Sequence, residues 1–103
     1  MKNNEVIADF ANGIEGSKTE NVFIEGKAIY SYGRHFPMAY KLKDSQCLFN
    51  ADKYSMSTSR HQNETSRALQ SRGWKLIFVH TNEIKEAVDR QISSVSEMMI
   101  ENI

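Results

Sequence analysis

Between Arg60 and Arg72 the chain reads Arg-His-Gln-Asn-Glu-Thr-Ser-Arg-Ala-Leu-Gln-Ser-Arg, a helical stretch in which only Ala68 and Leu69 are clearly apolar. At 3.6 residues per turn, Arg60, Asn63, Arg67 and Ser71 share one face, while His61, Thr65, Ala68, Leu69 and Arg72 share another. Arg, Asn and Gln on an exposed helix are the side chains that read guanine and adenine edges, and Ser, Thr and Lys suit phosphates. Ser57, Thr58 and Ser59 stand before it as three successive N-cap candidates, and helix N-termini attract anions. No second short helix precedes it, so a standard helix-turn-helix is excluded. An ordinary solvated helix is the competing reading.

The stretch Tyr30-Ser31-Tyr32-Gly33-Arg34-His35-Phe36-Pro37 is a second place for chemistry. Tyr30, Tyr32 and Phe36, with Tyr54 further on, can stack bases beside Lys27, Arg34 and Lys41, as single-strand binders do. A core role for these aromatics is the alternative. The expected nucleic-acid contacts are therefore Arg34, His35, Lys53, Ser59, Arg60, His61, Gln62, Asn63 and Arg67, with Tyr32, Phe36 and Tyr54 as stacking platforms.

Catalysis is the weaker expectation. A metal-independent nuclease needs two imidazoles near their natural pKa and a cation for the developing charge. His35 and His61 with Lys53 or Arg60 supply those types, but their spacing does not bring them together. Ser57 and Cys47 lie in no nucleophile signature. His61 and Glu64 at i, i+3 are the nearest approach to metal-ligand spacing, and no glycine-rich phosphate loop exists. No catalytic residue, metal or cofactor is expected.

Charge places these motifs in a distinct region. The 103 residues carry a formal net charge of +0. Residues 1–25 hold 2 Lys/Arg against 5 Asp/Glu, and residues 81–103 repeat that imbalance, while residues 26–80 hold 9 basic side chains against 3 acids. All 3 histidines fall in the basic stretch. Such asymmetry points to an anionic partner, or to ends that fold back on the middle. Cys47 is the only cysteine, so no internal disulfide forms and a reducing compartment is expected. No apolar run approaches the roughly 20 residues that span a bilayer, so no membrane partner is expected.

The elements that must carry these residues follow from hydrophobic periodicity. Val6, Ile7, Phe10, Ala11 and Ile14 recur at helical spacing, with Asn3 or Asn4 as N-cap. Residues 21–32 read as a hairpin closed at Gly26-Lys27, with glycine first as a type II′ turn requires. That register sets Ile24 opposite Ile29 and Phe23 opposite Tyr30, so both sheet faces need cover. Phe36–Leu42 and Gln46–Phe49 read as two further strands, with Pro37 barring the first from a central ladder position near its start. Lys53–Met56 reads as a short extended piece. After the polar helix, Gly73 suits the C′ position. Trp74–His80 reads as a central strand buried on two faces. Thr81 or Asn82 then caps an amphipathic helix to residue 103, with a stripe at Ile84, Val88, Ile92, Val95, Met99 and Ile103. Its end, including Val95, Met98, Met99 and Ile103, is expected either to lie across the sheet or to form a homodimer interface. The fold class is α+β, in one domain: N-terminal helix, antiparallel sheet of four to five strands, polar helix, strand, long C-terminal helix.

Tyr30-Ser31-Tyr32-Gly33 with His35-Phe36-Pro37 and Ala39, followed by Asp52-Lys53-Tyr54-Ser55 and Ser57-Thr58-Ser59-Arg60-His61-Gln62, resembles a family of small bacteriophage-encoded proteins of unassigned function. The resemblance covers residues 22–70, roughly half the chain. It implies a phage or prophage source and expression in a bacterial cytoplasm, and it transfers no residue roles. Met56 and Ser57 depart from it, standing where a β-branched pair is expected. The functional expectation is a small accessory protein that binds nucleic acid, the alternative being a protein-binding modulator of a host or phage enzyme.

Overall fold

The computed structural model describes residues 1–90. Helix α1 (Asn3–Ala11) is followed by strands β1 (Val22–Glu25), β2 (Ala28–Ser31), β3 (Pro37–Lys41) and β4 (Gln46–Asn50). Helix α2 (Met56–Ser71) and strand β5 (Lys75–Val79) come next, and residues 81–90 are helical (α3). The sheet order is β1-β2-β3-β4-β5. Strands β1 to β4 form an antiparallel meander, and β5 joins β4 in parallel after the α2 crossover. The α+β class and the order of elements are as expected. The expected interface residues Val95, Met98, Met99 and Ile103 lie outside the described residues.

Hydrophobic alternation decides the layers. Ile29, Met38, Cys47 and Phe49 pack with Val6, Ile7 and Phe10 of α1 and Leu69 of α2 on one face. Ala28, Tyr30 and Tyr40 pack with Ile84 of α3 on the other. The β1–β2 hairpin has the expected register, Ile24 against Ile29 and Phe23 against Tyr30. The Phe23 and Tyr30 rings stack at 5.0 Å. Gly26 has φ +59 while Lys27 stays out of the left-handed region, the signature of a type II′ turn.

Several expectations are corrected. Lys2, not Asn3 or Asn4, is the N-cap of α1 and makes no side-chain cap bond. That helix stops at Ala11, and Ile14 is exposed. Gly13 at φ +82 turns the chain, and the Ile14 N–H closes on the Asp9 carbonyl at 2.9 Å. Strand β3 is the middle strand despite Pro37. The proline is its first residue, and a register shift opposite Ile29/Tyr30 absorbs the missing donor. Strand β5 is an edge strand rather than a central one, with Ile77 and Phe78 exposed. For α3, His80 takes the cap position: its carbonyl accepts from the Glu83 and Ile84 N–H groups.

The β3–β4 turn holds two consecutive non-glycine residues in the left-handed region, Asp44 at φ 59 and Ser45 at φ 58. This is a type I′ turn built without glycine, and a left-handed L-residue costs about 1–2 kcal/mol. Ser45→Gly is expected to stabilise the protein by about 0.5–1 kcal/mol after glycine's extra chain entropy is subtracted, raising Tm by roughly 3–6 °C. Thermal denaturation by circular dichroism checks it; a lower Tm contradicts the turn assignment.

Candidate functional site

Three segments converge at one corner of the α1/α2 layer: the β2–β3 connection, the β4–α2 connection and the first half of α2. Helix α2 begins at Met56, four residues earlier than its polar run suggests, because Ser55 is the N-cap. The Ser55 Oγ accepts from the Thr58 N–H at 3.1 Å and donates to the Thr58 Oγ1 at 3.0 Å. Of the segment expected to be extended, Lys53–Met56, Ser55 is extended at φ -153, ψ 170 and Met56 already belongs to the helix. Gly73 ends α2 as expected, at φ +84, with the Trp74 N–H closing on the Leu69 carbonyl at 3.0 Å.

The inner stripe of α2 is polar. Thr58, His61, Gln62, Thr65 and Leu69 are all buried, and four of the five carry hydrogen-bonding side chains that need partners. The Gln62 amide donates to the Asn50 and Asp52 carbonyls, both at 2.9 Å. Asn50, itself buried, donates to the Pro37 carbonyl at 2.8 Å and to the Thr81 hydroxyl at 2.9 Å. Its Oδ1 accepts from the Asp52 N–H at 2.8 Å. The Asp52 carboxylate accepts from the Thr81 N–H and hydroxyl, both at 2.8 Å, and from His80 Nδ1 at 2.7 Å. The Thr81 N–H, then His80, then the Thr81 hydroxyl hold the Asp52 carboxyl at about 2, and the same carboxylate raises the His80 imidazole. Residues 50–55 are thus fastened to β3, α2 and the start of α3, which turns Lys53 and Tyr54 outward.

His61 anchors a second network. Thr19 Oγ1 donates to Asn3 Oδ1, which directs the Asn3 amide nitrogen at His61 Nε2, 3.3 Å away. With Nε2 accepting, Nδ1 carries the proton and donates to Ser31 Oγ at 2.8 Å. Burial lowers the His61 pKa, so the ring is neutral at pH 7. Both nitrogens are engaged, leaving neither for acid–base chemistry. In this tautomer Ser31 Oγ accepts from the ring, the reverse of the hydrogen bond by which a His activates a Ser nucleophile.

Over these networks lies the exposed surface. Tyr32 sits at φ 64, a left-handed conformation uncommon for an aromatic residue, and its ring packs on His61 at 5.5 Å. A Cβ at Gly33 would meet the His35 ring at 2.7 Å, so glycine is what lets that ring fold back. The His35 ring meets the edge of Tyr54 at 5.5 Å, and Tyr54 lies on Phe36 at 5.6 Å. Beside Tyr54 opens a groove of about 670 Å³ lined by Lys53, Tyr54, Ser55, Met56, Ser59, Arg60, Asn63, Glu64 and Arg67. A smaller hollow of about 250 Å³, lined by Asn3, Asn4, Arg60, His61 and Glu64, continues past Arg60. Lys53, Arg60 and Arg67 make no ion pair among the described residues, whose two ion pairs are Arg34–Glu25 and His80–Asp52.

The structure thus gathers Lys53, Tyr54, Ser59, Arg60, Asn63 and Arg67 in one groove, with His35 against Tyr54 at its margin and Tyr32 over His61, which lines the smaller hollow. It removes four residues from the expected contact set. His61 and Gln62 are buried; both His61 nitrogens and the Gln62 amide nitrogen are bonded inside the protein, while Gln62 Oε1 is buried without a partner among the described residues. Phe36 is 3% exposed and belongs to the core, so it cannot stack a base. Arg34 leaves by the opposite face. Its guanidinium meets the Glu25 carboxylate at 2.6 Å and lines a hollow with Tyr30, Lys85, Val88 and Asp89. That pairing raises Arg34 and lowers Glu25. Met56, 92% exposed at the groove, was not singled out as a contact. Its position in the first turn of a helix signals this only once Ser55 is known to be the cap.

Burial pushes the Cys47 thiol up to about 12, which makes it a core residue and not a nucleophile. Among the described residues no group of three or more His, Cys, Asp or Glu could hold a metal ion, and no helix is long and apolar enough to cross a membrane. No family profile, curated protein or solved structure matches the chain.

Proposed function

We propose that this chain is a small phage-encoded accessory protein of the bacterial cytoplasm that binds nucleic acid through the α2 groove. One observation carries the reading: Lys53, Arg60 and Arg67 line a single open groove and make no ion pair among the described residues, three cations against the one acid Glu64, beside the exposed Tyr54 and the polar Ser59 and Asn63. Cations of this kind meet phosphates, a Tyr face stacks on a base, and Asn and Ser supply hydrogen bonds. The loss of Arg34 from this face lowers the number of phosphate contacts to three.

Salt dependence tests it. With three phosphates neutralised, log K against log salt on duplex DNA is expected to have a slope of about −2.7, at roughly −0.9 per contact. The double variant Arg60→Ala/Arg67→Ala is expected to bring it to about −0.9, each cation removed reducing the slope by about one. Fluorescence anisotropy with labelled duplex and single-stranded oligonucleotides reads both. Binding that stays flat with salt, or a slope the double variant leaves unchanged, rejects the reading.

A protein partner is the second reading, favoured by the exposure of Met56 (92%) and Tyr54 (62%) at the same groove. Capture of a host protein that survives nuclease treatment and is lost in Met56→Glu would favour it over nucleic acid.

A further inference from the structure

The two edges of the sheet differ. On β1 the outer edge is occupied: the Ile24 N–H donates to the Ser17 carbonyl at 2.9 Å, and the Thr19 N–H to the Val22 carbonyl at 2.7 Å. On β5 no backbone partner lies outside the strand among the described residues. The Lys75 N–H donates inward to Ser45, and the Val79 carbonyl accepts inward from Ala51, both at 2.8 Å. Peptide groups of successive strand residues point to opposite sides, so residues 75, 77 and 79 face β4 and Leu76 and Phe78 face outward. Ile77 and Phe78, both exposed, stand on that open edge and point to opposite faces of the sheet. A hydrophobic edge of this kind is a template for a further strand.

From this we propose that β5 pairs antiparallel with β5 of a second copy, about a two-fold axis through Ile77. The register is dictated by the outward groups. Residues that exchange hydrogen bonds across an antiparallel pair must both face outward, so Leu76 or Phe78 of one copy opposes Leu76 or Phe78 of the other. Setting Leu76 opposite Phe78 of the partner copy places all five residues of β5 in the ladder and makes four backbone hydrogen bonds. Centring the axis on Leu76 or Phe78 instead pushes part of the strand past the end of its partner. In the Ile77-centred register the two Ile77 side chains meet as a non-hydrogen-bonded pair, the closest cross-strand approach. Phe78, packed on Phe49 at 5.7 Å, comes over Leu76 of the other copy. Lys75 opposes Val79, so no like charges face each other. The axis stands perpendicular to the sheet, and the α2 layers of both copies share one face. A continuous sheet of ten strands results, a symmetric and self-complementary contact.

Cysteine cross-linking tests the register itself, because Cys47, the one native thiol, is buried. In Ile77→Cys the two new Cβ atoms lie about 5 Å apart, close enough for a disulfide after small adjustment. In Phe78→Cys the two cysteines are diagonal neighbours roughly 7–8 Å apart, their Cβ atoms somewhat closer but still beyond the span of a disulfide. Mild oxidation is expected to give covalent dimer from Ile77→Cys and none from Phe78→Cys. Light scattering over a dilution series is expected to show twice the chain mass for the wild type and the single mass for Ile77→Lys, whose ammonium groups would face each other. Circular dichroism establishes that Ile77→Lys is folded, as its exposed position requires. Cross-linking of both cysteine variants, or of neither, overturns the proposal, as does a wild type of single mass at every concentration.

Discussion

Replacing Asn50 by alanine is expected to cost about 3–5 kcal/mol, enough to leave a domain of this size marginal or unfolded at 37 °C. Asn50 is 1% exposed and its side chain serves three partners: the Pro37 carbonyl, the Thr81 hydroxyl and the Asp52 N–H. Each buried polar group left unpaired costs roughly 1–3 kcal/mol. The Pro37 carbonyl is the worst placed, since it lies where the β2–β3 register already shifts. Asn50→Asp is expected to be no better. One of its oxygens can still accept from the Asp52 N–H, but the other would face, where a donor is needed, the Pro37 carbonyl and the Thr81 hydroxyl, whose proton already goes to Asp52. Urea denaturation of both variants checks this, and a loss below 1 kcal/mol in Asn50→Ala would show that the turn does not depend on the amide.

His61→Ala is expected to cost about 2–4 kcal/mol at pH 7.5, by stripping Ser31 and Asn3 of their partner and leaving a cavity under the Tyr32 ring. It also predicts a pH dependence of definite sign. Burial lowers the His61 pKa below its ordinary 6.5. The neutral ring's contribution is therefore complete above 6.5. Below that the unfolded chain takes up the proton first, and stability is lost as pH falls toward the folded value. The alanine variant has no such proton to take up. The stability gap between the two proteins is expected to narrow between pH 7.5 and pH 5.5. Comparing variant with wild type at each pH cancels the opposite trend of His80, whose pKa is raised by Asp52. A gap that holds constant or widens would mean that the buried ring is not held neutral.

The meander was legible because its signals are local. Gly26-Lys27 demanded a two-residue hairpin, alternation fixed the Phe23–Tyr30 and Ile24–Ile29 pairs, and Gly73 marked the end of α2. What escaped sequence reading depends on partners far along the chain. Helix α2 looked like a solvated surface element because its inward face is made of Thr58, His61, Gln62 and Thr65. Hydrophobic periodicity cannot see a face buried through hydrogen bonds to Asn50, Asp52 and Ser31. The apolar run of β5 read as a centre strand because composition does not distinguish a strand covered twice from one whose edge lies open. Arg34 looked like part of the basic face because a connection between strands can send neighbouring side chains to opposite sides of the sheet. Asn63, Arg60 and Arg67 came out together because helical spacing alone puts them there.

The turn from Asn50 to Ser55 separates scaffold from surface. Its position is set by Asn50, Asp52, Gln62 and Thr81, while Lys53, Arg60, Asn63 and Arg67 make no side-chain hydrogen bond or ion pair among the described residues. The side chains that meet the outside can therefore be exchanged without disturbing those that hold the frame. A lineage carrying this domain could diversify its target quickly, much as an antibody loop does on a constant framework.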